Sequence, residues 1–308
     1  MNVVIPSTID LASSNVATSS ESEFNISTTY AATNIVKVSF ESDGTTPKTP
    51  VYEYQSVTSS NTGNYPPDDA VNWIRIGASN KWSMFDDYVS SQTSNTGTID
   101  ITLNASKQNK LALFALEAQT VQVIVKDSGS NTISDVTHDL KDSDSGSWSE
   151  YFFEETEYQT DLIIDLPLYY LNMTVQVVID NDTEVAKCGH CVIGLSKELA
   201  LTEYGVTAGI TDYSRKETND FGETTLIQRA YAKTLDVDLW VEHDTNGAEY
   251  DRIHRLLSGL RATPCVWNAN NETSDRDTFI LFGYYRDFSM VAEYATKSAC
   301  SLELEGLI

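Results

Sequence analysis

Apolar residues in this chain recur at every second position, in short runs cut off by turn-forming residues. Ile35-Val36-Lys37-Val38-Ser39-Phe40 alternates, as do Val51-Tyr52-Glu53-Tyr54, Trp73-Ile74-Arg75-Ile76 and Thr98-Ile99-Asp100-Ile101-Thr102-Leu103. A period of two puts alternate side chains on one face, which is the pattern of a strand half-buried in a sheet. Val121–Val125, Leu162–Leu166 and Met173–Ile179 continue the series. Ser42-Asp43-Gly44, Asn61-Thr62-Gly63-Asn64-Tyr65-Pro66-Pro67 and the stretches Lys126–Asn131 and Asp142–Gly146 supply turn chemistry between runs. One segment differs. Tyr250, Ile253, Leu256, Leu257 and Leu260 share a face at helical spacing, bracketed by Gly247 and Pro264. The chain is therefore expected to be mainly β, with one amphipathic helix packed on a sheet.

At ~150 residues per domain, 308 residues make about two domains, with room for a small third. Residues 1–28 are rich in Ser and Thr and read as an extended arm that orders only on a partner. Residues 29–78 read as a small β module, and 79–186 as an antiparallel β-sandwich of the jelly-roll type. Residues 187–308 read as an α+β domain, with strands at Val192–Leu195, Thr225–Ala232, Leu235–Glu242, Thr278–Phe282 and Ser301–Glu305 and the helix at 249–260.

The charge balance removes whole classes of function. Twenty Lys and Arg face 45 Asp and Glu, a net −25. That is the wrong sign for a general grip on nucleic acid, which needs clustered cations to displace counterions, and for binding anionic membranes. No run approaches the ~18 apolar residues of a membrane-spanning helix. The first residues, MNVVIPSTIDLASSN, lack the basic and apolar regions of a secretory signal. Seven of the eight arginines follow residue 187. Arginine pairs with carboxylates at interfaces better than lysine does, so Arg215, Arg252, Arg261 and Arg286 are candidate partner-docking residues, with salt bridges inside the fold as the alternative.

Catalytic motifs are absent. There is no Gly-rich phosphate loop and no Gly-x-Ser-x-Gly, and His138, His243 and His254 stand alone. Cys188-Gly189-His190-Cys191 has the spacing of a thiol redox pair, but it precedes a strand-like run with no βαβ unit around it. Cys188, Cys191, Cys265 and Cys300 make a zinc set only if the fold gathers them; buried thiols are the plainer reading. The acidic pairs Asp68-Asp69, Asp86-Asp87 and Glu154-Glu155 suit glycoside hydrolysis or a structural Ca²⁺ only at set separations, and otherwise mark solvated loops. The expectation is a protein that is not an enzyme and needs no cofactor. Tyr52, Tyr54, Tyr65 and Trp73 are a candidate sugar platform, because an aromatic face stacks on the C–H face of a sugar ring. Among them, Trp73 reads more readily as core, and Tyr65, in a Gly/Asn/Pro loop, as exposed.

Several segments together carry a resemblance. Tyr30 … Val36 … Val51-Tyr52-Glu53 … Asn61-Thr62-Gly63-Asn64 … Pro66 … Trp73 resembles the chitinase-type carbohydrate-binding module, with Thr33-Asn34 where such modules carry Gly-Asp. Trp73-Ile74-Arg75-Ile76-Gly77-Ala78-Ser79-Asn80-Lys81-Trp82-Ser83-Met84-Phe85-Asp86 resembles a signature of tail proteins of long-tailed bacteriophages. Asp212–Glu217, Asp220-Phe221-Gly222, Leu260–Trp267, Gly283–Phe288 and Cys300–Leu307 continue that resemblance in collinear order. It implies a structural component of a virion tail tip or baseplate, made in the host cytoplasm. Its implied partners are other tail proteins, in multiple symmetric copies, and a host-surface glycan as a further candidate. A free-standing carbohydrate-binding or adhesion protein is the alternative.

Overall fold

The computed structural model describes residues 1–86, 88–141, 158–167, 172–218, 220–242, 248–270, 277–291 and 297–307. It is mainly β, built from antiparallel sheets, with one long helix among the described residues. The turn expected at Asp142–Gly146, and Asp87, Glu154, Glu155, His243 and Gly247, lie outside the described residues.

The small module is a three-stranded sheet of β3 (Ile35–Phe40), β4 (Pro47–Ser56) and β5 (Trp73–Ala78), in that order. Its alternation resolves as a single buried face. Val36, Val38, Tyr54 and Trp73 point into a core completed by Tyr30 and Tyr65, with Phe24 packed against it. The Trp73 ring meets Tyr30 edge-on at 5.2 Å and Phe24 at 5.9 Å.

The sandwich follows. A five-stranded sheet runs β2 (Leu11–Ser14), β6 (Thr93–Ala105), β11 (Met173–Cys188), β8 (Thr120–Lys126), β9 (Thr132–Asp139). Its inward residues, such as Ile99, Ile101, Val123 and Val177, share a core with Leu111, Leu113, Leu162, Ile164 and Ile193. The latter belong to β7 (Lys110–Phe114), β10 (Leu162–Asp165) and β12 (His190–Glu198), three neighbouring strands of a larger sheet.

That larger sheet is the spine of the molecule. Its order is β10-β7-β12, then β1 (Asn2–Pro6), β18 (Cys265–Asn268), β19 (Ile280–Val291), β20 (Lys297–Gly306), β17 (Tyr231–Glu242) and β13 (Leu201–Thr202). The strand β14 (Thr207–Asp212) also pairs with β17. Residues 2–6, expected within a free arm, are thus a central strand. Val4 pairs with Ser196 on one side and Val266 on the other. The physical reason is burial: Val3 and Val4 place their side chains on opposite faces, and both are fully buried. The sheet also runs without a break across the expected division between residues 186 and 187.

The two faces of this sheet do different things. On one, Leu111, Leu113 and Ile193 meet the five-stranded sheet, while Val3, Trp267 and Leu281 meet the helix α2 (Ala248–Gly259). Ile253, Leu257 and Leu260 are its buried face, as the spacing predicts. On the other face, Val4, Ala112, Phe114, Val192, Val266, Ile280 and Phe282 form a separate core. Part of that face is overlaid by the chain that follows a single helical turn, α1 (Asn80–Ser83). The Cys191 amide donates to the Met84 carbonyl at 2.7 Å, and a methyl group at Gly189 would overlap the carbonyl of Val89.

Candidate functional site

Among the described residues the most exposed large apolar side chains, Tyr204 and Phe221, lie at the base and beyond the last paired strands of a ribbon that leaves the large sheet. β14 pairs with the first half of β17, from Thr207↔Asp236 to Asp212↔Tyr231. β15 (Arg215–Thr218) and β16 (Thr224–Ile227) prolong the same ribbon, from Arg215↔Ile227 to Thr218↔Thr224. β17 is paired with β20 only from Thr234 onward. At ~3.3 Å per residue the ribbon reaches about 30 Å past that point. Every residue of β15 and β16 is exposed. Tyr204 at its base is 97% exposed, Ile210 64% and Leu226 77%.

Two of the four candidate docking arginines belong to this ribbon or its root. Arg215 on β15 pairs with Glu217, Nε to Oε1 at 3.0 Å. Arg286 on β19 stands 3.5 Å from Glu305, whose carboxylate also accepts from the Tyr213 hydroxyl at 3.1 Å and the Tyr284 hydroxyl at 3.3 Å. That carboxylate pushes the Tyr213 pKa upward, chiefly through the hydrogen bond it accepts. The other two serve the helix. Arg252 pairs with Glu249 one turn back and donates to the Glu198 carbonyl at 3.0 Å. Arg261 donates to the Ser258 carbonyl at 3.0 Å. Exposed pairs of this kind are worth ~0–1 kcal/mol and exchange readily for partners on another surface.

The expected sugar platform takes a different form. Trp73 is 2% exposed and donates its indole N–H to the Asn64 carbonyl at 3.0 Å. Tyr54 is buried. Tyr65, expected to be exposed in its loop, is buried as well, and its hydroxyl donates to the Phe40 carbonyl at 2.7 Å. Desolvation drives its pKa well above the ordinary value. A three-stranded sheet with no second layer needs these rings as its core, so they cannot also face a ligand. Tyr52 alone is partly open, and the Arg75 guanidinium lies over its ring at 4.8 Å.

The cysteines are not gathered. Cys188 and Cys191 belong to the sandwich core, and Cys265 and Cys300 to the core beneath the helix. All four are free and buried, and among the described residues no three His, Cys, Asp or Glu side chains are placed to hold a metal ion. Burial pushes the Cys188 thiol up to about 12 and Cys191 well above its ordinary value. A redox pair needs the reverse, a thiol made acidic by nearby positive charge or a helix N-terminus. Of the acidic pairs, Asp69 serves its own turn. It accepts from the amides of Val71 and Asn72 at 3.0 and 3.1 Å. The Asn72 side chain and backbone hold its carboxyl below the usual range.

No protein-family model matches the chain, and no curated protein matches it. Among solved structures, the lectin domain of lectinolysin, complexed with Lewis B antigen, aligns with a TM-score of 0.27. The alignment has 10% identity and covers 37% of this chain and 83% of that one. A score this low carries no argument about fold or ligand.

Proposed function

We propose that this chain is a structural part of a bacteriophage tail tip or baseplate, and that the ribbon at 207–231 is the surface it offers to a neighbouring tail protein. The observation that supports this most is the ribbon's composition. A two-stranded ribbon with no layer behind it is marginal in water. Ile210 and Leu226 are exposed on it. Burial of such side chains against a partner stabilises both the ribbon and the contact, by about 1.5–3 kcal/mol per residue. Arg215 at the start of β15 and Arg286 at the root add charges that suit an acidic counter-surface. The collinear tail-protein resemblance supports the same reading.

The small module supports its own part of the resemblance. Thr33 takes φ +74, a conformation that glycine adopts most easily, at the position where chitinase-type modules carry glycine. In this reading the C-terminal half docks, while the sandwich and the small module support receptor-binding parts. The alternative of a free-standing adhesion protein loses its first candidate surface, because Tyr54, Tyr65 and Trp73 are core.

The test is incorporation. Ile210→Asp with Leu226→Asp changes two exposed side chains and should leave the fold intact by circular dichroism. Phage particles assembled in cells that supply only this variant are expected to contain at least about tenfold less of the protein. Wild-type incorporation of the folded variant would remove the ribbon from the interface.

A further inference from the structure

β10 and β17 are the first and eighth strands in the order of the large sheet. Side chains from these two distant strands nevertheless meet. Lys233, on β17 at the root of the ribbon, places Nζ 2.5 Å from Oδ2 of Asp161, the residue just before β10. The two stand 72 positions apart in the chain. Both line a cavity of about 440 Å³, whose apolar wall is Val89, Phe114, Ile280, Phe282 and Leu307.

The pair is held more tightly than the exposed ones described above. Asp161 is 5% exposed, and its Oδ1 accepts from the Ala115 amide at 3.1 Å, which fixes the carboxyl group in place. Lys233 is half-buried, and its Nζ also reaches the Asp277 carbonyl at 3.5 Å. Burial raises the Asp161 pKa above the ordinary carboxylate range against the pull of Lys233, and the charge of Asp277 adds to the rise. Two charges in such a place carry a desolvation cost. Moving one proton from Nζ to Oδ2 cancels both of them. What remains is a neutral amine in contact with a carboxylic acid, and the acid is already oriented by a backbone N–H.

We propose that Lys233 and Asp161 condense to an amide, an isopeptide cross-link that ties the root of the ribbon to the sandwich side of the sheet. Nζ attacks Cγ, and the Ala115 N–H stabilises the charge that develops on Oδ1. The Nζ–Cγ bond forms and the Cγ–Oδ2 bond breaks. Oδ2 leaves as water with two of the three ammonium protons, and the third stays on the amide nitrogen. Net charge is unchanged, and no oxidant or co-reactant is consumed. Asp277, the second carboxylate that acts on the site, carries a proton from Nζ to the leaving oxygen. In bulk water the equilibrium favours the free groups. Contact inside a fold supplies an effective concentration of ~10⁵–10⁸ M, which shifts the balance to the amide. The cross-link does not depend on what the ribbon docks against.

Intact-mass spectrometry of the purified full chain, incubated at neutral pH, tests it. The wild-type protein is expected about 18 Da below the mass of its sequence, the loss of one water. A tryptic digest should then contain one branched peptide that joins the segment holding Asp161 to the segment holding Lys233. Lys233→Arg keeps a cation at the site but has no amine to acylate, and should show its full sequence mass. Asp161→Asn offers a carboxamide in place of the acid, so its loss should become about 17 Da, one ammonia. A wild-type chain at full sequence mass would overturn the proposal and leave an ion pair only. A deficit of about 18 Da that survives in Lys233→Arg would overturn it too, because the water would then be lost elsewhere. If the variants fail to fold, the presence or absence of the branched peptide in the wild-type digest decides the matter.

Discussion

Gly194→Ala is expected to cost about 3–5 kcal/mol of stability, a large effect for one methyl group. Gly194 lies on β12 opposite Pro6, where β1 enters the large sheet. A Cβ at 194 would overlap the Ile5 carbonyl oxygen and stand 2.9 Å from Val4 Cγ1. The obstruction is mainly backbone, so the conflict is relieved only by moving β1. Moving β1 loosens its ladders to β12 and β18 and exposes Val3 and Val4, each worth about 1.5–3 kcal/mol of burial. The strand also joins the half of the sheet that packs on the sandwich to the half that packs on the helix. Chemical denaturation should show a lower midpoint, and the Val3 and Val4 amides should exchange freely. Gly77→Ala is the control, since nothing lies within 4 Å of a Cβ there. Equal midpoints for the two variants would contradict the central placement of β1.

Trp73→Ala is expected to unfold the small module outright. Its core is six buried side chains, and Trp73 touches the rings of Tyr30 and Phe24 within it. Truncating a buried tryptophan costs about 3–5 kcal/mol. A module of this size, with one sheet and no second layer, has little more than that to lose. Amide protection should vanish across 30–78 and persist in the sandwich, whose core is separate. Tyr65→Phe removes the hydroxyl that donates to the Phe40 carbonyl and should cost about 1 kcal/mol. Retained protection in Trp73→Ala would mean that the ring is not the keystone of this core. Any loss of ligand binding in that variant is a folding effect, not evidence of a sugar platform.

What the sequence made legible follows the range of each signal. Alternation is local, so Ile35–Phe40 and Trp73–Ile76 could be placed as strands, and helical spacing placed the helix at 249–260 against 248–259 in the structure. Lys110–Phe114 carried no alternation because both its faces are buried, Leu111 and Leu113 on one side and Ala112 and Phe114 on the other. Residues 2–6 could not be placed because their partners lie near 195 and 267, and nothing local encodes that pairing. Alternation at Tyr52 and Tyr54 showed that they share a face but not whether that face was core or surface. The strand expected at Thr225–Ala232 likewise said nothing of Leu226's exposure, since an exposed apolar residue on a ribbon and a buried one in a sheet have the same local sequence. The contact of Lys233 with Asp161 joins residues 72 positions apart and left no spacing to read.

The assembly role is tested most directly by locating the protein. Antibody raised against the purified chain, followed by electron microscopy of particles from the producing culture, is expected to put label at the tail tip. Intact particles that carry no label, and in which mass spectrometry finds none of the protein, would contradict the account.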